Sequence, residues 1–351
     1  MADFGGWMMP IEYPGPTGGV MAEHRAVREH VGIFDVSHLG KISVTGKGAV
    51  DFLNSILTND LDAIKDFGAQ YMLLCDRSGG VIDDLIAYRL GADEVFLIPN
   101  AANCLEVHSV IASQAPAGIE VVNRHHEFSV MAVQGPRSRE LLSLVGLNVS
   151  EQLGYMGFER VEYLGEQVTI CRTGYTGERG YEVVAPVRSA VTVEIWKRLS
   201  DSLETLHGAT VGLGARDTLR TEMGYALHGH ELSREINPLE AGVGWAVAWK
   251  KDRFQGREAL LGIKESGTIR RSMALRAVDK TIPRSGMDVL RDGVSIGKVT
   301  SGTFSPTLRV GIALALLDSG VSVGDTVTID VRGREGSYEV VKAPFVPSHV
   351  R

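Results

Sequence analysis

Cysteine is scarce in this chain: three residues in 351, Cys75, Cys104 and Cys171, far apart and never in C-x-x-C spacing. That excludes a disulfide framework and a zinc ribbon, and leaves the three thiols as packing residues. Long apolar runs are also lacking. No uninterrupted stretch of about 18 apolar residues is present, which removes a membrane-spanning helix. The opening Met1-Ala-Asp-Phe-Gly-Gly-Trp7 carries neither a basic nor an apolar signal region. The expectation is a cytoplasmic protein without a membrane partner. Positive charge is in deficit as well, with 36 Lys+Arg against 43 Asp+Glu and a net charge of −7. No whole-chain field exists to hold a phosphate backbone, so nucleic acid is not an expected partner.

What is present is the composition of a globular protein with a sizeable core: 44% hydrophobic and 23% charged residues. The length predicts more than one domain. Alternating segments such as Leu39 to Thr45 and Glu94 to Pro99 read as strands. Apolar spacing of three or four predicts helices over Met21 to Val31, Ala49 to Leu57, Pro136 to Val145 and Arg188 to Ser202. The mixture argues for an α+β fold over a doubly wound α/β fold. The charged stretch Lys250 to Arg257 marks a break. Beyond it, short alternating runs separated by glycines predict a small antiparallel β barrel or sandwich. The expected division is residues 1–255, an α+β region of two interleaved subdomains, and residues 256–351, a C-terminal β domain.

Three segments carry candidate chemistry. Leu73 to Leu90 contains two apolar runs around Asp-Arg-Ser-Gly-Gly, a hairpin whose return strand holds Asp83 and Asp84. On a strand these face opposite ways, Asp84 with Ile82, Ile86 and Tyr88, and Asp83 with Val81, Leu85 and Ala87. Both faces are apolar, so at least one carboxylate is expected to be desolvated, and such a group is paired, caps a turn, or is functional. In Arg172-Thr-Gly-Tyr-Thr-Gly-Glu-Arg-Gly-Tyr-Glu-Val183, glycines 174, 177 and 180 permit turns and close approach of a flat ligand. Glu182 then opens a strand, where an exposed position is the plain reading. Neither a Walker nor a dinucleotide fingerprint is there. Gly214 to Met223 reads as a helix with Arg216 and Arg220 four apart, either a solvated salt-bridged face or two guanidiniums aimed at a carboxylate-bearing ligand. His228-Gly-His-Glu231 lacks H-E-x-x-H spacing, and no metal is expected.

Together these residues read as a family. Asp3 to Trp7, Phe34-Asp-Val-Ser-His-Leu-Gly-Lys41, Gly79-Gly-Val-Ile-Asp-Asp-Leu85, Thr173 to Glu178, Gly214 to Arg220, Pro238 to Trp245, Thr300 to Pro306 and Pro344 to Pro347 span nearly the whole chain in family order. The chain resembles the aminomethyltransferase (T-protein) family of the glycine cleavage system. The resemblance implies three small domains in a cloverleaf around a folate-binding channel. It also implies transfer of the one-carbon unit from the aminomethyl group on lipoylated H-protein to tetrahydrofolate, giving methylenetetrahydrofolate, ammonia and dihydrolipoyl H-protein. Asp84 matches the family's catalytic aspartate. Glu182 and Arg216 match folate contacts, and Tyr71, Asn100, Tyr175 and Trp245 fall where the family lines its channel. The family often has Tyr just after Phe-Val-Pro, where this chain reads Phe345-Val-Pro-Ser-His-Val-Arg351, and Leu39 stands where methionine is common.

Two other readings share the fold. A folate-dependent demethylase of a methylated amine or sulfonium compound would turn over free substrate without a carrier. A folate-binding iron–sulfur maturation factor is marked by Lys-Gly-Cys-Tyr-x-Gly-Gln-Glu, and here Gly174 stands in place of that cysteine. The basic cluster Lys250, Lys251, Arg253 and Arg257 suggests docking of an acidic carrier, or a solvated linker.

Overall fold

A computed structural model describes residues 1–15 and 18–351. Two sheets and a barrel organise it. A six-stranded sheet runs Phe158–Tyr163, Glu166–Cys171, Gly180–Pro186, Phe128–Gln134, Gly32–Asp35 and Ala209–Thr210, and only the last pair is parallel. A five-stranded antiparallel sheet runs Gly68–Cys75, Val81–Gly91, Glu94–Pro99, Ile42–Thr45 and Glu120–Asn123. Its strands lie in the sequence between Gly32–Asp35 and Phe128–Gln134, so the six-stranded sheet is built from separated pieces of chain. The α+β expectation is the observed architecture.

The alternation of each strand assigns its side chains to layers. Along Phe128–Gln134, Met131 and Val133 enter a core with the helices Ser138–Leu144 and Val191–Ser202, while Val130 and Ala132 enter a second core. That second core also takes Ala69, Tyr88 and Ile98 from the five-stranded sheet, so the two sheets face one another across it. The far face of the five-stranded sheet is covered by the helices Ala49–Asn54 and Cys104–Ala112 through Leu53, Val107, Ile111, Leu85 and Ala87. Cys75, Cys104 and Cys171 are all buried and unpaired by disulfides, as expected of packing residues.

The C-terminal strands close into a six-stranded antiparallel barrel, resolving the choice between barrel and sandwich: Arg270–Ala277, Val310–Asp318, Val294–Ser305, Asp288–Arg291, Thr326–Asp330, Glu335–Val341, and back to the first. Leu275, Val289, Ala315, Leu317, Ile329 and Tyr338 fill it. The helix Leu213–Glu222 joins barrel to sheets. Arg220 is fully buried, pairing with Asp217 and with Glu231 at 3.0 Å and donating to Ser301 Oγ of the barrel at 2.8 Å. It belongs neither to a solvated face nor to a ligand cleft, because its guanidinium is saturated by protein acceptors. Glu222 completes the joint, accepting from Arg28, from Ser305 Oγ at 2.6 Å and from the Thr307 amide and hydroxyl.

Among the described residues no helix is long and apolar enough to cross a membrane.

Candidate active site

The hairpin that carries the two aspartates is set by its turn. Asp76 Oδ1 accepts from the Ser78 amide at 2.8 Å, the Ser78 hydroxyl and the Gly80 amide, an Asx-type closure. Gly80 is required there: a Cβ would stand 1.9 Å from the Arg234 carbonyl oxygen, whose segment clasps the hairpin through Val81 N–H to Ser233 O. A bulge between Leu74 and Cys75 leaves Ile82 unpaired, and it turns to the helix-covered core, away from the face its spacing implied. After the bulge the alternation resumes. Asp84, opposite Leu73, shares its face with Ile86 and Tyr88 and points toward the six-stranded sheet, while Asp83 points the other way and is wholly buried.

Both oxygens of Asp84 are held. Tyr71 O–H donates to Oδ2 at 3.0 Å, and the Asn100 side-chain amide donates to Oδ1 at 2.8 Å. Burial raises the Asp84 pKa, and these two donors and the nearby His228 pull it back. A carboxyl tuned upward in this way exchanges protons closer to neutrality than a free aspartate does. Tyr71 packs against Trp245, ring centres 5.3 Å apart and planes tilted by 31°; Trp245 is 67% exposed and forms an open rim beside the carboxylate.

Glu182 comes from the facing sheet. On Gly180–Pro186 it shares the face of Val184, which looks toward the strand of Asp84. It is half-buried rather than exposed, and the Thr173 hydroxyl donates to Oε2. Burial raises its pKa, opposed by Thr173 and by the charge of Arg216. The glycine loop before it turns at Gly177, where φ is +80°, and makes room for a protein side chain at two further positions. A Cβ on Gly174 or Gly180 would stand 2.1 or 2.4 Å from the Gln134 side chain. The space is filled by protein, since Gln134 donates to the Thr173 and Tyr181 carbonyls and accepts from Thr176 Oγ1.

Arg216 lies across Tyr175, its guanidinium carbon 5.0 Å from the ring centre. Tyr175 stacks on Tyr225 at 5.6 Å and donates to the Ala226 carbonyl. Burial and the charges of both Asp84 and Glu231 raise the Tyr175 pKa, opposed by Arg220 and Arg216. Glu182, Arg216, Tyr175, Asp84 and Tyr71 are thus linked in one electrostatic neighbourhood. Each of these, with Asn100 and Trp245, keeps part of its surface open. The arrangement offers a carboxylate for adjacent N–H donors, aromatic faces for a flat ring, a cation, and an oriented carboxyl at the opposite sheet. Asn103, Thr173 and Tyr225 adjoin it; Thr173 opens the family stretch Thr173 to Glu178, while Asn103 and Tyr225 carry no signal in the sequence.

The basic cluster divides. Lys251 turns inward, donating to the carbonyls of Leu57 and Asn59 at 2.7 and 2.6 Å, and burial lowers its pKa to about 8. Arg257 donates to the Lys251 carbonyl and pairs with Glu258. Lys250 and Arg253 remain exposed, and Arg253 shares a shallow concavity with Arg77. His228 and His230 hydrogen-bond to protein groups, and among the described residues no group of three or more His, Cys, Asp or Glu is placed to hold a metal ion.

The profile described as "GCVT N-terminal domain" matches residues 1–251, and that described as "Glycine cleavage T-protein C-terminal barrel domain" matches 270–347. An "Aminomethyltransferase" of Frankia alni is 54% identical over all of this chain and 95% of its own length. One from Mycobacterium avium is 51% identical over all of this chain and 94% of its own. A crystal structure of glycine cleavage system aminomethyltransferase T from Bartonella henselae superposes with a TM-score of 0.90 at 32% identity, covering 99% of this chain and 94% of that one.

Proposed function

The chain belongs to the glycine cleavage T-protein family of aminomethyltransferases, and from that membership we propose that it takes tetrahydrofolate as co-substrate and the lipoyl arm of H-protein as aminomethyl donor. The observation that carries this reading is Asp84, anchored through both oxygens beside an open aromatic rim and across from Glu182 and Arg216. In the transfer, the C–S bond to the arm breaks and two C–N bonds form to the folate amines as ammonia leaves. The two N–H protons of the folate end on the thiol and on ammonia. Expulsion of the thiol creates iminium character that the Asp84 carboxylate stabilises electrostatically. Glu182 accepts from the pterin edge, and Arg216 with Tyr175 fixes the ligand's position.

The reading is tested by methylenetetrahydrofolate formation from tetrahydrofolate and aminomethyl-loaded carrier. Turnover of free methylated amines with no response to the loaded carrier would replace it with the demethylase reading. Glu182→Gln is expected to raise the KM for tetrahydrofolate by roughly 10- to 100-fold with kcat changed less than about threefold, the scale of one charged hydrogen bond. A kcat loss at unchanged KM would remove Glu182 from the binding role.

Lys250 and Arg253 are exposed where Lys251 turns inward, and they are the pair we assign to an acidic carrier. The double reversal Lys250→Glu/Arg253→Glu is expected to raise the KM for the carrier by about 3- to 10-fold and flatten its salt dependence. A salt dependence identical to the wild type would exclude that face.

A further inference from the structure

Asp83 cannot reach a substrate, yet it sits next to the reacting carboxylate with every contact satisfied by a donor. It is fully buried on the helix-covered face of its strand. The Asn100 backbone N–H donates to its Oδ2 at 2.9 Å; the side-chain amides of Asn100 and Asn103 donate to its Oδ1 at 2.9 and 2.7 Å. Burial and the neighbouring Asp84 raise its pKa, and these three donors oppose them. Asn100 lies just past Pro99, the last residue paired with Leu85 at that edge, so its amide reaches both faces of the strand and meets Asp83 and Asp84 together.

The amide of Asn103 is itself aligned. Its Nδ2 lies between Asp83 Oδ1 and His228 Nδ1, 3.0 Å away. A nitrogen facing a carboxylate is a donor, so His228 Nδ1 is the acceptor and its ring proton is on Nε2, 3.2 Å from the Val81 carbonyl. The line therefore runs His228, Asn103, Asp83, Asn100, Asp84, and Asp83 shares the Asn100 amide nitrogen with the Asp84 carbonyl, 3.0 Å away. An unheld Asn100 amide turned by half a rotation would set its own oxygen against Asp84 Oδ1.

We propose that Asp83, Asn103 and His228 are positioning residues that hold the Asn100 amide, and through it the Asp84 carboxylate, in the reactive orientation. This rests on the reading of Asp84 as the reacting carboxylate. It predicts losses in kcat with little change in folate binding, because Asp83 is buried and the hydrogen bonds of Asn103 and His228 run to Asp83, to each other and to the Val81 carbonyl.

The test compares wild type with Asp83→Asn, Asn103→Leu, His228→Leu and His228→Asn in the carrier-dependent assay. Asparagine at 228 keeps an acceptor near the Nδ1 position and leucine does not. Asp83→Asn and Asn103→Leu are expected to lower kcat by about 10- to 100-fold with the folate KM within about threefold. His228→Leu should lose about 10-fold, and His228→Asn should recover to within about threefold of wild type. Retained kcat in the first two variants, losses confined to KM, or equal defects in the two His228 variants would overturn the proposal. If Asp83→Asn does not fold, the Asn103 and His228 variants decide alone. A second readout is independent of turnover: the ¹⁵N side-chain amide resonance of Asn100 should move in His228→Leu and hold in His228→Asn. An unmoved resonance in both refutes the line. Wild type inactive in the assay while the resonance moves only in His228→Leu would instead locate the failure in the functional reading.

Discussion

Asp84→Asn is expected to lower kcat for methylenetetrahydrofolate formation by roughly 10²- to 10⁴-fold while tetrahydrofolate binding changes only a few-fold. The substitution is close to isosteric and the hydrogen bonds around it survive. The Asn100 Nδ2 that faces this position can only donate, so the new side chain presents its oxygen there; the Tyr71 hydroxyl can rotate to accept from the new nitrogen. What disappears is the negative charge and the proton capacity at one position. A variant with near-wild-type kcat would leave the family assignment in place and remove Asp84 from the chemistry. A variant that loses folate binding in proportion to turnover would make it a binding residue.

Glu222→Gln is expected to destabilise the fold by about 3 to 5 kcal/mol, the range for removing one partner of a buried ion pair, and to lower Tm by roughly 5 to 10 °C. Glu222 is wholly buried and joins three parts of the chain: Arg28 and His24 of the helix Val20–Glu29, its own helix, and Ser305 and Thr307 of the barrel. Glutamine would turn an N–H₂ toward one of these donors and leave Arg28 with Glu178 as its remaining carboxylate. Burial alone would raise the Glu222 pKa, but the hydrogen bond and charge of His24, the Ser305 hydroxyl and Arg28 outweigh it and bring the value to about 2. The folded value lies below the ordinary 4.5, so this stabilisation is complete above the unfolded pKa and is lost as pH falls from there toward about 2. The stability gap between wild type and Glu222→Gln in denaturant titrations should therefore be full at neutral pH and close on acidification. A gap that is independent of pH would mean that packing, rather than charge, is what glutamine disturbs.

The period-2 alternation of Val81–Gly91 separates Asp83 from Asp84 in the sequence alone, and because both faces of that strand are apolar a carboxylate on either must be satisfied. Sequence could not say which was sealed, since that depends on Asn100 and Asn103 arriving at the end of a neighbouring strand. The bulge at Ile82 is invisible in the sequence for the same reason: it lies beside the clasp of Ser233 and Arg234, about 150 residues away in the chain. Arg216 and Arg220 share a helix and a spacing, yet one lies on Tyr175 and the other is buried against Glu231 and the barrel. Helical periodicity places both on one side but carries no information about which distant element covers each turn. Lys251 differs from Lys250 only because two carbonyls beyond Ile56 need a donor. The barrel was legible as alternation punctuated by glycine, although closure depends on Arg270–Ala277 meeting Glu335–Val341. The family resemblance supplied the roles of the site residues, which spacing alone left open.

The interruption of one sheet by another also orders the birth of the molecule. As the chain emerges from N- to C-terminus, the five strands between Ile42 and Asn123 can all pair before Phe128–Gln134 exists. Gly32–Asp35 has its antiparallel partner only once Met131 and Gln134 have emerged, and its parallel one only at Ala209. The sheet bearing Asp84 is thus complete in principle while the sheet bearing Glu182 still lacks its centre. For that interval the early strand waits as an unpaired edge, the kind of surface that newly made chains must shield until synthesis catches up.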